Sequence, residues 1–484
     1  MHLSRRTYFY IVILFAELLP CLPAPLTASA VESPQIESTE KDRTDLKLTV
    51  YNDNYAFIRE TRELAIKAGR GMLEFTGVPA TISPETILLR PLTEESGFTV
   101  LEQSFHFYRP GQKTLLDKYV GKKIRLEVWN RFNDRVSSVE ATLLGNSDGP
   151  LYKIGDEIYL GHHGVPVLPE LPEGLVTGPE INWLYRAPSD ADYRLEVSYL
   201  AEKIQWKALY RLILQGHGGP GELTGWISLT NESGTAFTDA EVRFAAGRPH
   251  RQRTGLKQRS MAEYGGRAMQ MEASQASESP LFEYHIYDLG RRISIKDKEQ
   301  KQLGLITAQC IEVKKEFEIK GRPRYFRAPL RSEKITDPVY VYLEFINSTA
   351  NCLGSPLPAG KIDIYMEGDD GELEFIGGDT VDHTPVKRSI RLKAGIAFDV
   401  TAKRTQTGYK RISSVLYDRS WEVKIRNNKA RAVTVSLVEP LSGSWEILGS
   451  SHPYTKTDAF TIKFEVPVPA GEEVSVTYRA RVEL

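Results

Sequence analysis

The chain has 484 residues, with 62 Lys+Arg against 63 Asp+Glu and a formal net charge of -1. That balance provides no global field to draw it to nucleic acid or to an acidic membrane surface, so neither partner is expected. With 41% hydrophobic and 26% charged residues it lies outside the disordered class and can bury a core, at a length that holds roughly two to four domains.

The first 30 residues are of a different kind. Arg5 and Arg6 precede an apolar run from Tyr8 to Leu19, broken by Glu17, and Ala28-Ser29-Ala30 follows. This is the three-part pattern of a secretory signal peptide, with cleavage expected after Ala30 and an uncleaved N-terminal anchor as the alternative. Its apolar part falls short of the ~20 residues of a spanning helix. Ser4-Arg5-Arg6 is a loose twin-arginine signal, from which Tyr8-Phe9-Tyr10 departs, so both export routes stay open. Leu18-Leu19-Pro20-Cys21 is a lipoprotein box broken by Pro20. No later stretch has spanning length, so the expected product is soluble, exported to the periplasm or beyond, and possessed of no transmembrane segment. Two cysteines remain in it, Cys310 and Cys352. An oxidising compartment allows them to pair, and two buried free thiols are the alternative. Neither lies in a Cys-x-x-Cys pair or near a suitably spaced His, which argues against a zinc or redox site.

After a polar tether expected over 31–46, the period of the apolar residues is two nearly everywhere. Ile124, Leu126 and Val128 alternate with Lys123, Arg125 and Glu127, and Tyr193, Leu195, Val197 and Tyr199 with Arg194, Glu196 and Ser198. Trp421–Ile425, Val433–Leu437, Ile462–Val468 and Val474–Tyr478 repeat the pattern. Alternation of this kind marks half-buried strands, and Gly155-Asp156, Gly368 to Gly371, Ser442-Gly443 and Pro469-Ala470-Gly471 mark the turns between them. A helical turn or two is expected only near Thr114 to Tyr119. The fold class is all-β: tandem antiparallel sandwiches and small barrels. An N-terminal β domain is expected over 47–190, with a small barrel at about 113–168. Pro166, Pro169 and Pro172 then suit a stiff connector or an edge. A C-terminal sandwich region is expected over 191–484, with a mobile insertion at 251–280, rich in Gln, Met, Ser and Arg and without period.

Several segments carry a resemblance in their order. These are VYNDNYAFIRETRELAIKAGRG, YLAEKIQWKALYRLIL, ISLTNESGTAFTDAEVRFAAGRPH, FINSTANCLGSPLPAGKIDIYM and KIRNNKARAVTVSLVEPLSGSWEILGSS. Together they resemble a family of exported bacterial proteins known as a domain of unknown function and as mucoidy-inhibitor-A-like. The likeness covers nearly the whole mature chain, through its asparagine-turn strands and its Leu-Pro-Ala-Gly turn. Longer members carry a coiled-coil insertion in the N-terminal half, and this sequence has no heptads there. The resemblance implies an envelope or secreted β-protein and no catalytic residue.

Candidate chemistry is sparse. Asp382-His383, behind the diglycine of FIGGDTVDHTP, could be two ligands or an acid–base couple, but neighbours on a strand point to opposite faces. His162-His163, between Gly161 and Gly164, are metal candidates only if the loop aims both rings together. Gly216-His217-Gly218-Gly219-Pro220 reads as a hairpin tip. Ser355 and Ser444 do not fit a nucleophile elbow, and no HExxH or phosphate loop is present. Trp183, Tyr185, Tyr152 and Tyr159 could form binding platforms or fill sheet interfaces, and alternation places Trp206, Trp226 and Trp421 in the core. The expectation is a non-enzymatic envelope scaffold, adhesion or binding module with a protein or glycan partner and no cofactor. A hydrolase of envelope or extracellular polysaccharide or peptide is the alternative, and an outer-membrane barrel suits the short, charge-interrupted strands poorly.

Overall fold

A computed structural model describes residues 34–92, 97–107, 111–130, 135–170, 178–216, 219–247, 277–281, 284–326 and 335–483. The signal peptide and most of the expected insertion, residues 248–276, lie outside them. Among the described residues the regular structure is almost entirely strand, with one α-helix, Gln112–Lys118, and a few short 3-10 turns. The strands form six sheets of four to seven strands. Alternation sets which face each strand buries. In Ala191–Glu202, for example, Tyr193, Leu195, Val197 and Tyr199 are buried while Asp192 and Arg194 face water.

The seven-stranded sheet draws Arg43–Tyr51 and Tyr55–Ile66 from the N-terminal part, and Ala191–Glu202, Phe237–Ala246 and Tyr284–Ile295 from beyond the joint expected at residue 190. A four-stranded sheet of Gln35–Ser38, Gly69–Phe75, Glu180–Ala187 and Thr99–His106 packs with it. The middle sheet holds Glu299–Ile311, Gly221–Asn231, Ile204–Gln215, Gly360–Glu367 and Leu373–Val381. Most of the six-stranded sheet comes from Lys314–Lys320, Val339–Ile346, Val433–Pro440 and Thr461–Val468. The C-terminal sheet is built on Val400–Arg411, Leu416–Asn427 and Glu473–Glu483. These last two sheets enclose a core of their own around Trp421, Val423, Leu437, Phe464 and Val476.

Two expectations need correction. Residues 35–46 are not a tether: Gln35–Ser38 pairs parallel with Met72 to Phe75, and Arg43 begins a nine-residue strand. The segment was opaque because its strand is short and polar, and its partner lies some 37 residues away. The 113–168 region does not close into a barrel either. Its five strands run in the order Glu157–Leu160, Leu151–Ile154, Arg135–Gly145, Lys123–Asn130, Val165–Val167, which leaves the first and last as open edges. Pro166 sits in one of those edges, where a missing N–H removes no inner ladder bond.

Buried asparagines close the crossovers between sheets. Asn231, Asn347 and Asn427 are all fully buried. Asn427 ends a strand of the C-terminal sheet, and its amide donates to the carbonyls of Arg431, Val468 and Pro469 at 2.8, 3.2 and 3.0 Å. Its Oδ1 accepts from Lys429 N–H at 3.0 Å. The same side chain therefore secures its own crossover, towards Val433, and the returning one, from Val468 to Glu473. Asn231 does this with Thr235 and Lys296 (2.8 and 3.0 Å), between the middle and seven-stranded sheets. Asn347 does it with Ser355, Thr384 and Pro385 (2.9, 3.2 and 3.3 Å), between the six-stranded and middle sheets.

Buried arginines form a second kind of tie. Arg404 meets Asp337 at 2.6 Å and Glu439 at 2.7 Å, and donates to the Tyr478 hydroxyl at 3.3 Å, all within the core between the last two sheets. Burial alone would lower the Arg404 pKa, but Glu439, Tyr478 and Asp337 outweigh it and hold the pKa above the usual arginine value. Burial raises that of Glu439, against the pull of Arg404. Arg62 similarly reaches Ser38, Thr76 and Glu60 (2.9, 2.8 and 3.1 Å) and lies 3.4 Å over the Phe75 ring.

Replacing Asn427 by Ala strands several buried backbone acceptors, so urea unfolding should show a loss of roughly 3 kcal/mol, against about 0.5 kcal/mol or less for the exposed neighbour Asn428→Ala. Arg404→Met leaves two buried carboxylates facing each other and should lose about 3–5 kcal/mol in the same assay.

Candidate functional site

Asp382 and His383 follow the strand Leu373–Val381, both exposed, on the way to a single bridge between Thr384 and Leu357. His383 Nδ1 accepts the Ala359 N–H at 3.2 Å, and the Thr384 hydroxyl donates to the Asp382 carbonyl at 2.7 Å. These contacts fasten the Leu-Pro-Ala-Gly turn, whose Pro358 carbonyl also accepts from the Tyr210 hydroxyl at 2.8 Å. The two side chains do not converge on one point. His383 orders the turn, and Asp382 stands on the rim of a groove.

That groove, of about 410 Å³, is lined by Asn52, Trp206 to Leu209, Ala359 to Lys361 and Thr380 to Asp382. It opens where Ile204–Gln215 and Gly360–Glu367 begin to run parallel, with Ala208 opposite Gly360. Two parallel strands need no hairpin at their common end, so the chains leading into them diverge and leave a notch. Gly360 makes the close start of the seam possible, since a Cβ there would collide with the Ala208 carbonyl. The polar lining has two ammonium groups, Lys207 and Lys361, one carboxylate, Asp382, and the Asn52 amide. Asn52 Nδ2 donates to the Trp206 carbonyl at 3.2 Å, while its Oδ1 is buried without a hydrogen-bond partner. Two cations beside an anion at an open groove are suited to hold a polar, extended ligand by charge and hydrogen bonds.

The other candidates are dispersed. His162 Nδ1 accepts the Gly164 N–H at 2.9 Å, so its ring orders its own loop, with the Tyr159 ring edge-on at 6.3 Å; His163 is exposed. Among the described residues no three His, Cys, Asp or Glu side chains gather as a metal site. Trp183 and Tyr185 are fully buried, Trp183 donating to Gln103 at 2.8 Å and Tyr185 stacking on Phe98 at 5.4 Å. Tyr152 is buried in the small sheet and Tyr159 exposed. Trp206 and Trp421 are buried, and Trp226 is half-buried. Ser355 supplies a backbone carbonyl to Asn347, and Ser444 opens a strand. His217 falls outside the described residues. Cys310 and Cys352 are joined by a disulfide with Cα atoms 5.7 Å apart, which clips the edge strand of the middle sheet to the turn after Asn351. No residue pattern singles out Asn52, Lys207 or Lys361: they meet through pairing across more than 300 residues, and only the Gly360 turn could have hinted at the place.

These features define an all-β protein of stacked sheets whose crossovers are fastened by buried amides and which has a groove at a parallel seam. The model of the DUF4139 family, a domain of unknown function, matches residues 195–484, and the chain belongs to that family. No curated protein matches it. Among the described residues no helix is long and apolar enough to cross a membrane.

Gly360→Ala should force the seam apart and lower stability by on the order of 2 kcal/mol, with thermal unfolding as the measure. Gly371→Ala, at a turn where a Cβ meets nothing within 4 Å but φ is +79°, tests how much of such a loss is backbone strain alone.

Proposed function

We propose that the protein is an exported, non-enzymatic binding scaffold of the bacterial envelope, the short form of the mucoidy-inhibitor-A-like branch of its family, and that the groove at Gly360 holds a polar segment of a protein or glycan partner. The observation that carries this reading is the groove's charged set: Lys207, Lys361 and Asp382. Two ammonium groups with a single carboxylate make a recognition surface. Glycoside cleavage by the usual route calls for two carboxyl groups facing one another across the scissile bond. Export is supported by the signal-peptide pattern of residues 1–30 and by the Cys310–Cys352 bond, a linkage that persists in oxidising compartments.

The test is co-sedimentation of the mature protein with its own envelope fraction. The wild type should be retained, and Lys207→Glu with Lys361→Glu should release it at unchanged melting temperature; equal retention of the double variant sinks the assignment to this groove. Release of reducing sugar ends or peptide fragments from that fraction, abolished by Asp382→Ala with His383→Ala, would establish the hydrolase instead. Non-reducing mass mapping of protein isolated from the periplasm should recover one peptide pair joined through Cys310 and Cys352, and two free thiols there would count against export to an oxidising compartment.

A further inference from the structure

The six-stranded sheet contains a parallel seam of its own, and its beginning is charged. Lys314–Lys320 pairs antiparallel with Val339–Ile346 from Lys314 onward, but its parallel ladder with Val433–Pro440 starts only at Phe317 opposite Val435. The chain before each of these two positions therefore lacks a ladder partner on the facing side. A notch of about 630 Å³ lies there, lined among others by Lys314, Lys315, Glu316, Arg431, Lys463 and Glu465. Its two carboxylates are already engaged: Glu316 with Lys314 at 2.7 Å, and Glu465 with Lys463 and with the Ser436 hydroxyl at 3.1 Å. Among the described residues Lys315 and Arg431 have no ion pair, and the nearby Lys429 is held by Asp399 at 2.9 Å. Lys315 keeps solvent access, yet its pKa is lowered, first by burial and then by Lys429 and Arg431. The notch thus combines strand edges open to backbone pairing with cations that repel one another and lack anions.

We propose that this notch binds an extended acidic peptide segment, whose backbone pairs with the open edges around Lys315 and Val433 and whose carboxylates meet Lys315 and Arg431. Backbone pairing supplies register, and alternate side chains reach the two cations on the pleat. Neither the groove at Asp382 nor its partner is needed for this. A free inorganic oxyanion could satisfy the cations but would leave the strand edges unused.

Fluorescence anisotropy with a labelled, end-blocked Glu-Val-Glu-Val-Glu-Val peptide tests the proposal on the full mature chain, with the Lys-Val peptide of the same length as control. Saturable binding of the acidic peptide alone is expected, weakened roughly tenfold or more by Lys315→Gln with Arg431→Gln and progressively by salt. A second variant, Thr434→Pro, places a ring in the strand edge while leaving the charges, and should weaken binding as well. No binding by the wild type, equal binding of both peptides, or binding unchanged in the charge variant overturns the proposal. Displacement by inorganic phosphate as effectively as by unlabelled peptide overturns it in favour of a bare anion site. Melting curves of each variant separate lost binding from lost fold.

Discussion

The stack of sheets depends on a recurring contact: a buried asparagine amide that holds two crossovers at once. A sandwich brings chain from one sheet to the next through arches whose backbone carbonyls are turned away from any ladder and, when buried, away from water. Each unpaired carbonyl would cost on the order of 1–3 kcal/mol. Asn231, Asn347 and Asn427 each offer two donors and an acceptor at the point where an outgoing and a returning arch lie side by side. They serve three successive sheet pairs, so the chain solves the same problem three times by the same means. Asp would lack the donors, and Gln would place its amide one bond too far out. The chemistry of the crossover demands this residue more strictly than it demands any one apolar neighbour.

Strands, turns and the all-β class were legible in the sequence because period two is a local signal. The run Ile462, Phe464, Val466, Val468 is a strand with those four residues buried, as alternation alone requires. What could not be read depended on partners far away in the chain. Gln35–Ser38 has too few residues to show a period, and its order comes from pairing with Met72 to Phe75 and from the Arg62 guanidinium. Closure of the 113–168 region into a barrel turned on whether its two edge strands meet, which no pattern within either strand records. Glu60 and Arg62 interrupt the apolar alternation of Tyr55–Ile66, though both are buried. Asp382-His383 drew attention as adjacent functional groups. Only its place beside Ala208 and Gly360 separates a residue that orders a turn from one that rims a groove.

Both recesses share one origin. Antiparallel neighbours are usually joined by a hairpin that closes the sheet at one end, whereas parallel neighbours enter from unrelated parts of the chain. Where the Ala208–Gly360 and Phe317–Val435 seams begin, the incoming segments separate, and the sheet opens along its own plane. Side chains from both faces then reach the gap, which explains how the groove at Asp382 gathers residues from 52 to 382 and the second notch residues from 314 to 465. Polar side chains collect there because the backbone itself is not fully paired and water must be able to reach it.

Buried charge shows how far the interior departs from an oily core. Arg62 could be replaced in volume by an apolar chain, but no apolar chain would bind Ser38, Thr76 and Glu60 together, and so choose one placement of the short parallel strand. Arg404 likewise joins Asp337, on a three-residue edge strand, to Glu439 of the facing sheet. Arg419 differs from both. It is fully buried, with its guanidinium 5.4 Å from the Tyr409 ring centre and 5.2 Å from that of Tyr417, and none of its three nitrogens makes a hydrogen bond of good geometry. Burial lowers its pKa, against the neighbouring tyrosine hydroxyls. Ring faces alone solvate a cation less well than carboxylates do. Arg419 therefore lacks the carboxylate partners that Arg404 has, although the two stand on neighbouring strands of one sheet. What decides between them is whether a second sheet brings a carboxylate within reach.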